Sequence, residues 1–210
     1  MTFTHVVLYR AMNLGHRGSP VRAALEGALL DGGAAAVRSF QTNGTVLLDV
    51  GPGGDAAAVA VVRAAAPVLA DGCGYAGAAL VRSLDDVAAA VEGDPFALTR
   101  DERTYRETVT FVDGGDPLSV ALPWTDPRDL LDLVAARPGV VLGVARGGPG
   151  AGGDPNSAVE RFTGGVATTR TLGTVGGGRA PPPAGGCPSG GPGWGWVSYK
   201  KNNEPTTLQV

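Results

Sequence analysis

Apolar positions in the first part of the chain switch between strand-like and helix-like spacing. Residues 4–10 (THVVLYR) form a β-branched and aromatic run that reads as a strand. Ser19-Pro20 then predicts a helix start, because serine caps and proline suits the first helical position. Val21, Leu25, Ala28 and Leu29 fall on one helical face, and Gly32-Gly33 ends it. Residues 35–40 and 45–50 read as short strands around Thr42-Asn43-Gly44, Asn-Gly being a strong hairpin dipeptide. Asp55 is placed to cap a helix carrying Val59, Val62 and Leu69, with Pro67 limiting its last turn. Residues 78–82 make a fourth strand. The order β-α-β-β-α-β is the split ferredoxin-like pattern.

Ser83 caps a third helix with Leu84, Val87 and Val91 inward and Asp86 completing an approximate capping box. Asp94-Pro95 ends that helix, and the charged, aperiodic stretch 96–106 reads as a connection. The second half repeats the grammar less clearly. Residues 107–113 and 140–145 read as strands, and Asp126-Pro127 as the opening of a helix bearing Leu130, Leu131 and Val134. A loop at 146–153 (RGGPGAGG), a short helix at 157–162 and a strand at 166–171 complete the folded part. The expected fold class is α+β: a ferredoxin-like half (1–94), a second, degenerate α/β half (95–175), and a Gly/Pro-rich tail (176–210). Both lysines, Lys200 and Lys201, lie in that tail, whose composition predicts a disordered or non-native segment.

Composition narrows the function classes. The formal charge of −3 argues against bulk attraction to nucleic acid, so any anion site must be local. Cys73 and Cys187 are the two cysteines, and no secretory opening is present, so a reduced cytoplasm is the expected home. The apolar run at 56–70 carries Arg63 and Pro67 and reads as too short to span a membrane. Two histidines and two cysteines without ligand spacing predict no zinc site, and residues 147–153 lack the ending of a phosphate loop. No cofactor is expected.

Several stretches resemble the domain of unknown function 1697 family, an uncharacterised bacterial family. Leu8-Tyr9-Arg10-Ala11-Met12-Asn13-Leu14-Gly15 is similar to the family's opening Leu-Arg-Gly-Ile-Asn-Val-Gly. Residues 38–46 resemble its second strand and Gln-Ser-Gly-Asn turn, Pro95-Phe96 follows the third helix, and Ala167-Thr168-Thr169-Arg170-Thr171 with Thr174-Val175 resembles its closing motif. The likeness covers about residues 4–175. Ala11 stands where the family has glycine, and Asp154-Pro155-Asn156-Ser157 lacks the family's lysine. The resemblance implies an α+β fold of two related halves and no assigned reaction.

The loop at 10–20 is the main candidate site. It leaves a strand and enters a helix N-terminus, where backbone N–H groups and the helix dipole favour an anion. Arg10 and Arg17 could clamp a phosphate or carboxylate, Gly15 and Gly18 allow close backbone approach, and Asn13 could bridge backbone or ligand. A structural alternative pairs Arg10 with an acidic neighbour and uses Asn13 to close the turn. Gln41 and Asn43 offer amides on the hairpin, and Thr169 with Arg170 would add hydroxyls and a second guanidinium. The leading functional reading is a conserved cytoplasmic protein binding a small anionic or phosphorylated ligand, such as a nucleotide, at this loop. RNA ranks lower because the strand aromatics Phe3, Tyr9, Phe40 and Phe111 form no RNA-binding signature. The alternatives are an enzyme using Arg10, Arg170 and His16 on a phosphorylated or carboxylated substrate, and a structural or partner-binding protein.

Overall fold

The computed structural model describes residues 2–147 and 152–175, together with two short strands in the tail. The opening run becomes β1 (His5–Tyr9), buried along its whole length because each of its faces meets a different core. It is followed by α1 (Arg22–Asp31), β2 (Ala36–Phe40), β3 (Thr45–Asp49), α2 (Gly54–Cys73) and β4 (Ala79–Ser83). The four strands form sheet A in the order β2-β3-β1-β4, every neighbouring pair antiparallel. The short helix α3 (Leu84–Ala90) starts as the sequence predicts, with the Ser83 hydroxyl accepting the Asp86 N–H.

Sheet B follows. It contains β5 (Thr104–Asp113), β6 (Trp124–Thr125), β7 (Leu131–Arg137), β8 (Val140–Arg146) and β9 (Val166–Thr171) in the order β6-β7-β8-β5-β9. The helix α4 (Pro155–Thr163) precedes β9, and α5 (Leu172–Val175) follows it. Asp154 caps α4 by accepting the N–H groups of Asn156 and Ser157.

Alternation of side chains along the strands stacks these elements into layers. Val7, Tyr9, Val46 and Leu48 pack against Leu25, Leu29, Val61 and Leu69 of α1 and α2. The opposite face of sheet A presents Val6, Leu8, Leu47 and Leu80 to Val109, Phe111, Val140, Leu142 and Val144 of sheet B. The far side of sheet B packs Leu131, Leu133, Val141 and Ala167 on Ala158 and Val159 of α4. The result is an α+β fold layered helix, sheet, sheet, helix. Phe96, from the stretch read as a mere connection, is completely buried between the sheets.

Several expectations are corrected. The predicted helix after Asp126 is strand β7. Leu130, Leu131 and Val134 fit a helical face, but Leu131 and Leu133 also alternate, and the turn at Gly139 (φ 67°) folds β7 back onto β8. Asp126 closes a local turn instead, its carboxylate accepting the N–H groups of Leu130 and Leu131. At α1 the N-cap is Val21, because the Ser19 hydroxyl is used inside the loop. Asp55 lies within the first turn of α2 rather than at its cap, and bonds to Nε2 of His5 at 2.9 Å. His5 is buried at the start of β1. By length and composition α2 is sufficient to cross a membrane, contrary to the reading of its run as too short. It packs on sheet A through Ala58, Val61, Ala65 and Leu69. In the tail, β10 (Ser198–Tyr199) pairs with β11 (Pro205–Thr206). The rest of the expectation for 176–210 lies outside the described residues.

Candidate functional site at the end of the first strand

The loop after Tyr9, the turn between β2 and β3, and strand β9 come together at the C-terminal end of β1. Two arginines hold them. Arg170 projects from β9 on the side facing sheet A and is 6% exposed. Its Nε donates to Oγ1 of Thr45 at 2.7 Å, and Nη1 donates to Thr168 Oγ1 and the Thr169 carbonyl at 2.9 Å. Nη2 donates to the carbonyls of Tyr9 and Asn43, also at 2.9 Å. These bonds occupy all the N–H positions a guanidinium has, and every acceptor is neutral. Among the described residues no carboxylate pairs with it. Burial lowers the Arg170 guanidinium to about 10, partly opposed by nearby Tyr75.

Arg10, the residue after β1, reaches the other way into the second half of the chain. It lies against both carboxylate oxygens of Glu160 on α4, with Nη2–Oε1 at 2.9 Å, and its Nε donates to the Ala167 carbonyl at 3.1 Å. Glu160 also accepts the Ala167 N–H at 3.0 Å. The ion pair therefore occupies the hydrogen-bonding edge of β9 at Ala167 as a neighbouring strand would. The Tyr75 hydroxyl donates to the Arg10 carbonyl at 2.7 Å. Burial raises the Tyr75 phenol to about 12 against the pull of Arg170 and Arg10. Burial also raises Tyr9, whose ring meets Tyr75 edge-on.

The loop closes on itself and on the hairpin. The Asn13 N–H donates to the Ser19 hydroxyl, and the Asn13 carbonyl accepts the His16 N–H. Gly15 donates to the Pro20 carbonyl and Leu14 to the Thr42 carbonyl. On the turn, Asn43 Oδ1 accepts the Thr45 hydroxyl at 2.8 Å, and the exposed Gln41 takes a left-handed backbone (φ 57°). Gly44 is required there: at φ 69° a Cβ would stand 2.8 Å from Cβ of Met12. Arg22, at the first position of α1, donates to the carbonyls of Ser39 and Gln41.

Of the candidate residues, Arg10, Asn43 and Arg170 meet in one joint between the sheets. Their polar groups are directed at protein partners. Thr169 turns to the opposite face of β9, where its hydroxyl meets those of Thr110 and the Asn156 amide oxygen. Asn13, Gly15 and Arg17 remain on the exposed loop. An enzyme reading built on Arg10, Arg170 and His16 has two of its three groups engaged internally. Glu160, Tyr75 and Thr45 complete the joint and were not singled out by sequence. Glu160 lies 150 residues from Arg10 and carries no local signal of the contact.

Comparison with known proteins gives the family and the fold. Residues 1–134 match a family described as protein of unknown function (DUF1697). The chain belongs to that family. Among solved structures, the family member is similar to the conserved bacterial protein SP0830 from Streptococcus pneumoniae. The identity is 17%, with 83% of this chain and 95% of that one covered, at a TM-score of 0.58. At that identity the likeness concerns the fold alone. No curated protein matches the chain. The family is uncharacterised, so no reaction is inherited from it.

Proposed function

We propose that this conserved protein is a small binding module whose ligand is anionic, a phosphorylated small molecule or nucleotide, held where the loop after β1 meets the start of α1. The observation that carries the reading is the state of that helix end. It has no side-chain cap and no acidic residue in its first turn. Helix-terminal N–H groups in that condition favour an anion. Arg17 stands exposed on the same loop, and its guanidinium makes no ion pair or hydrogen bond among the described residues. A Cβ at Gly15 or Gly18 would meet nothing within 4 Å, so the loop backbone is open to close approach. Tyr9 and Phe111 lie in cores, and each face of sheet A is covered, so these two strand aromatics are not available to stack RNA bases. A cytoplasmic setting, expected from the scarce cysteines, belongs to the same proposal.

The test is the melting temperature of the full chain with orthophosphate, pyrophosphate, nucleoside phosphates and a short RNA. A ligand at a hundred times its Kd stabilises by ~2.7 kcal/mol, which is roughly 5–10 °C for a chain of this size. Arg17→Ala is expected to leave the unliganded melt unchanged and to abolish most of that shift. A shift that survives Arg17→Ala places the ligand elsewhere.

A further inference from the structure

Sheet A and α2 enclose a groove of about 580 Å³ beside β4. Tyr9, Ala79 and Val81 form its floor, on the sheet face that packs against the helices, and Val59, Val62 and Ala66 of α2 form its roof. Ala79 is the strand neighbour of Tyr9. A space of that size, with apolar walls and a few polar groups, is what small-molecule sites require.

Two polar groups of the lining lack internal partners. Tyr9 is 3% exposed, and its buried hydroxyl bonds to nothing among the described residues. Two other buried side-chain atoms share that state, on Ser39 and Asp132, and neither residue lines this groove. Tyr75, which also lines it, spends its hydroxyl on the Arg10 carbonyl. A hydroxyl buried without a partner costs free energy, which a ligand oxygen recovers by bonding to it. Arg63 stands exposed on α2 and makes no ion pair or hydrogen bond among the described residues. Arg82 bonds to the neutral carbonyls of Val81 and Val112. Asp113 is the one acid in the lining, so positive charge is in excess.

We propose that this groove binds a small carboxylate with an apolar body and a second oxygen remote from the carboxylate. The carboxylate pairs with Arg63 at the rim, the body lies between α2 and β4, and the second oxygen meets the Tyr9 hydroxyl at the floor. The excess positive charge selects against an amine of the same shape, and the apolar walls select against inorganic anions. None of residues 10–20 lines the groove, so the site is separate from the loop proposed to hold a phosphorylated ligand.

Isothermal titration calorimetry of the full chain with para-hydroxyphenylpropionate tests this, with phenylpropionate, para-hydroxyphenylpropylamine and orthophosphate alongside. The hydroxylated acid is expected to bind saturably, about fivefold more tightly than phenylpropionate, which lacks the second oxygen. Neither the amine nor orthophosphate should displace it. In Tyr9→Phe the two acids should bind alike, and the unliganded melting temperature should not fall, because the lost hydroxyl had no partner. Arg63→Gln should weaken both acids about tenfold. Ala66→Trp changes an exposed residue of the lining and should block both. Absence of saturable binding by either acid overturns the inference, as does an amine that binds as tightly as the acid. So does a preference for the hydroxylated acid that survives Tyr9→Phe, a Tyr9→Phe chain that melts lower, or binding untouched by Ala66→Trp.

Discussion

Replacing Arg170 asks whether the joint between the sheets depends on the shape of a guanidinium or on its charge. Arg170→Met keeps the apolar stem and removes the fork. Three acceptors on the sheet A side lose their donor: the Tyr9 carbonyl, Thr45 Oγ1 and the Asn43 carbonyl. Tyr9 and Thr45 are buried and Asn43 is half-buried. At about 1–3 kcal/mol for each acceptor left unmet, the gross loss is roughly 5 kcal/mol. Against this, the burial that lowers Arg170 to about 10 corresponds to a charge penalty on the order of 3 kcal/mol, and methionine relieves it. The net loss is therefore about 2 kcal/mol. Arg170→Lys keeps a charge in the same place, offers fewer donors, and lacks the planar fork that reaches Thr45, Tyr9 and Asn43 together. It should cost more than methionine, at least ~3 kcal/mol by the same reckoning. Urea denaturation followed by circular dichroism gives the order: native, then methionine, then lysine. A lysine variant more stable than methionine, or both within ~0.5 kcal/mol of native as an ordinary surface change would be, refutes the reasoning.

Other outcomes follow from the same contacts. Asp132 and Arg146 form a buried pair with Oδ2–Nη1 at 2.5 Å. Asp132→Ala leaves the guanidinium with Asp101 and the Thr99 carbonyl and should cost about 3 kcal/mol, read as a lower urea midpoint. Gly44→Ala must hold a left-handed backbone and place its Cβ against Met12 and Tyr9. An expected loss of ~2–4 kcal/mol in urea combines the backbone and packing costs. Alkaline pH should destabilise the fold. Tyr75 is raised to about 12 and Tyr9 is raised too, so their contribution is complete below the ordinary phenol value near ~10 and is lost as pH rises towards 12. Arg170, lowered to about 10, acts in the opposite sense over the same window, but two phenols outweigh one guanidinium. Tyrosinate absorbance should therefore rise together with unfolding, and a smooth titration of every tyrosine in the folded state would contradict this.

Much of sheet A was legible in the sequence because its signals are local. The Asn-Gly turn, the Ser83 cap and the β-branched and aromatic run of residues 4–10 each act within a few positions. Strand β7 was misread because Leu130, Leu131 and Val134 satisfy a helical spacing, and pairing with β8 decides otherwise. The stacking of one sheet on the other was not legible. Valine and leucine on both faces of β1 show that it is buried, but not by what. The arginines of the joint were picked out as site residues because a short basic motif looks the same whether it waits for a ligand or for an internal partner. Arg10 found Glu160 and Arg170 found backbone carbonyls, both distant in sequence. Arg17 differs from them in the absence of such a partner among the described residues.

Backbone amide spectra of the full chain, titrated with orthophosphate and then with a nucleoside triphosphate, test the proposed function most directly. If the ligand sits at the start of α1, the N–H resonances of residues 15–19 and 21–24 move together and saturably, and those of Arg10, Glu160 and Arg170 at the joint stay in place. Saturable shifts centred on the joint, or no saturable shift for any phosphate, would contradict the account.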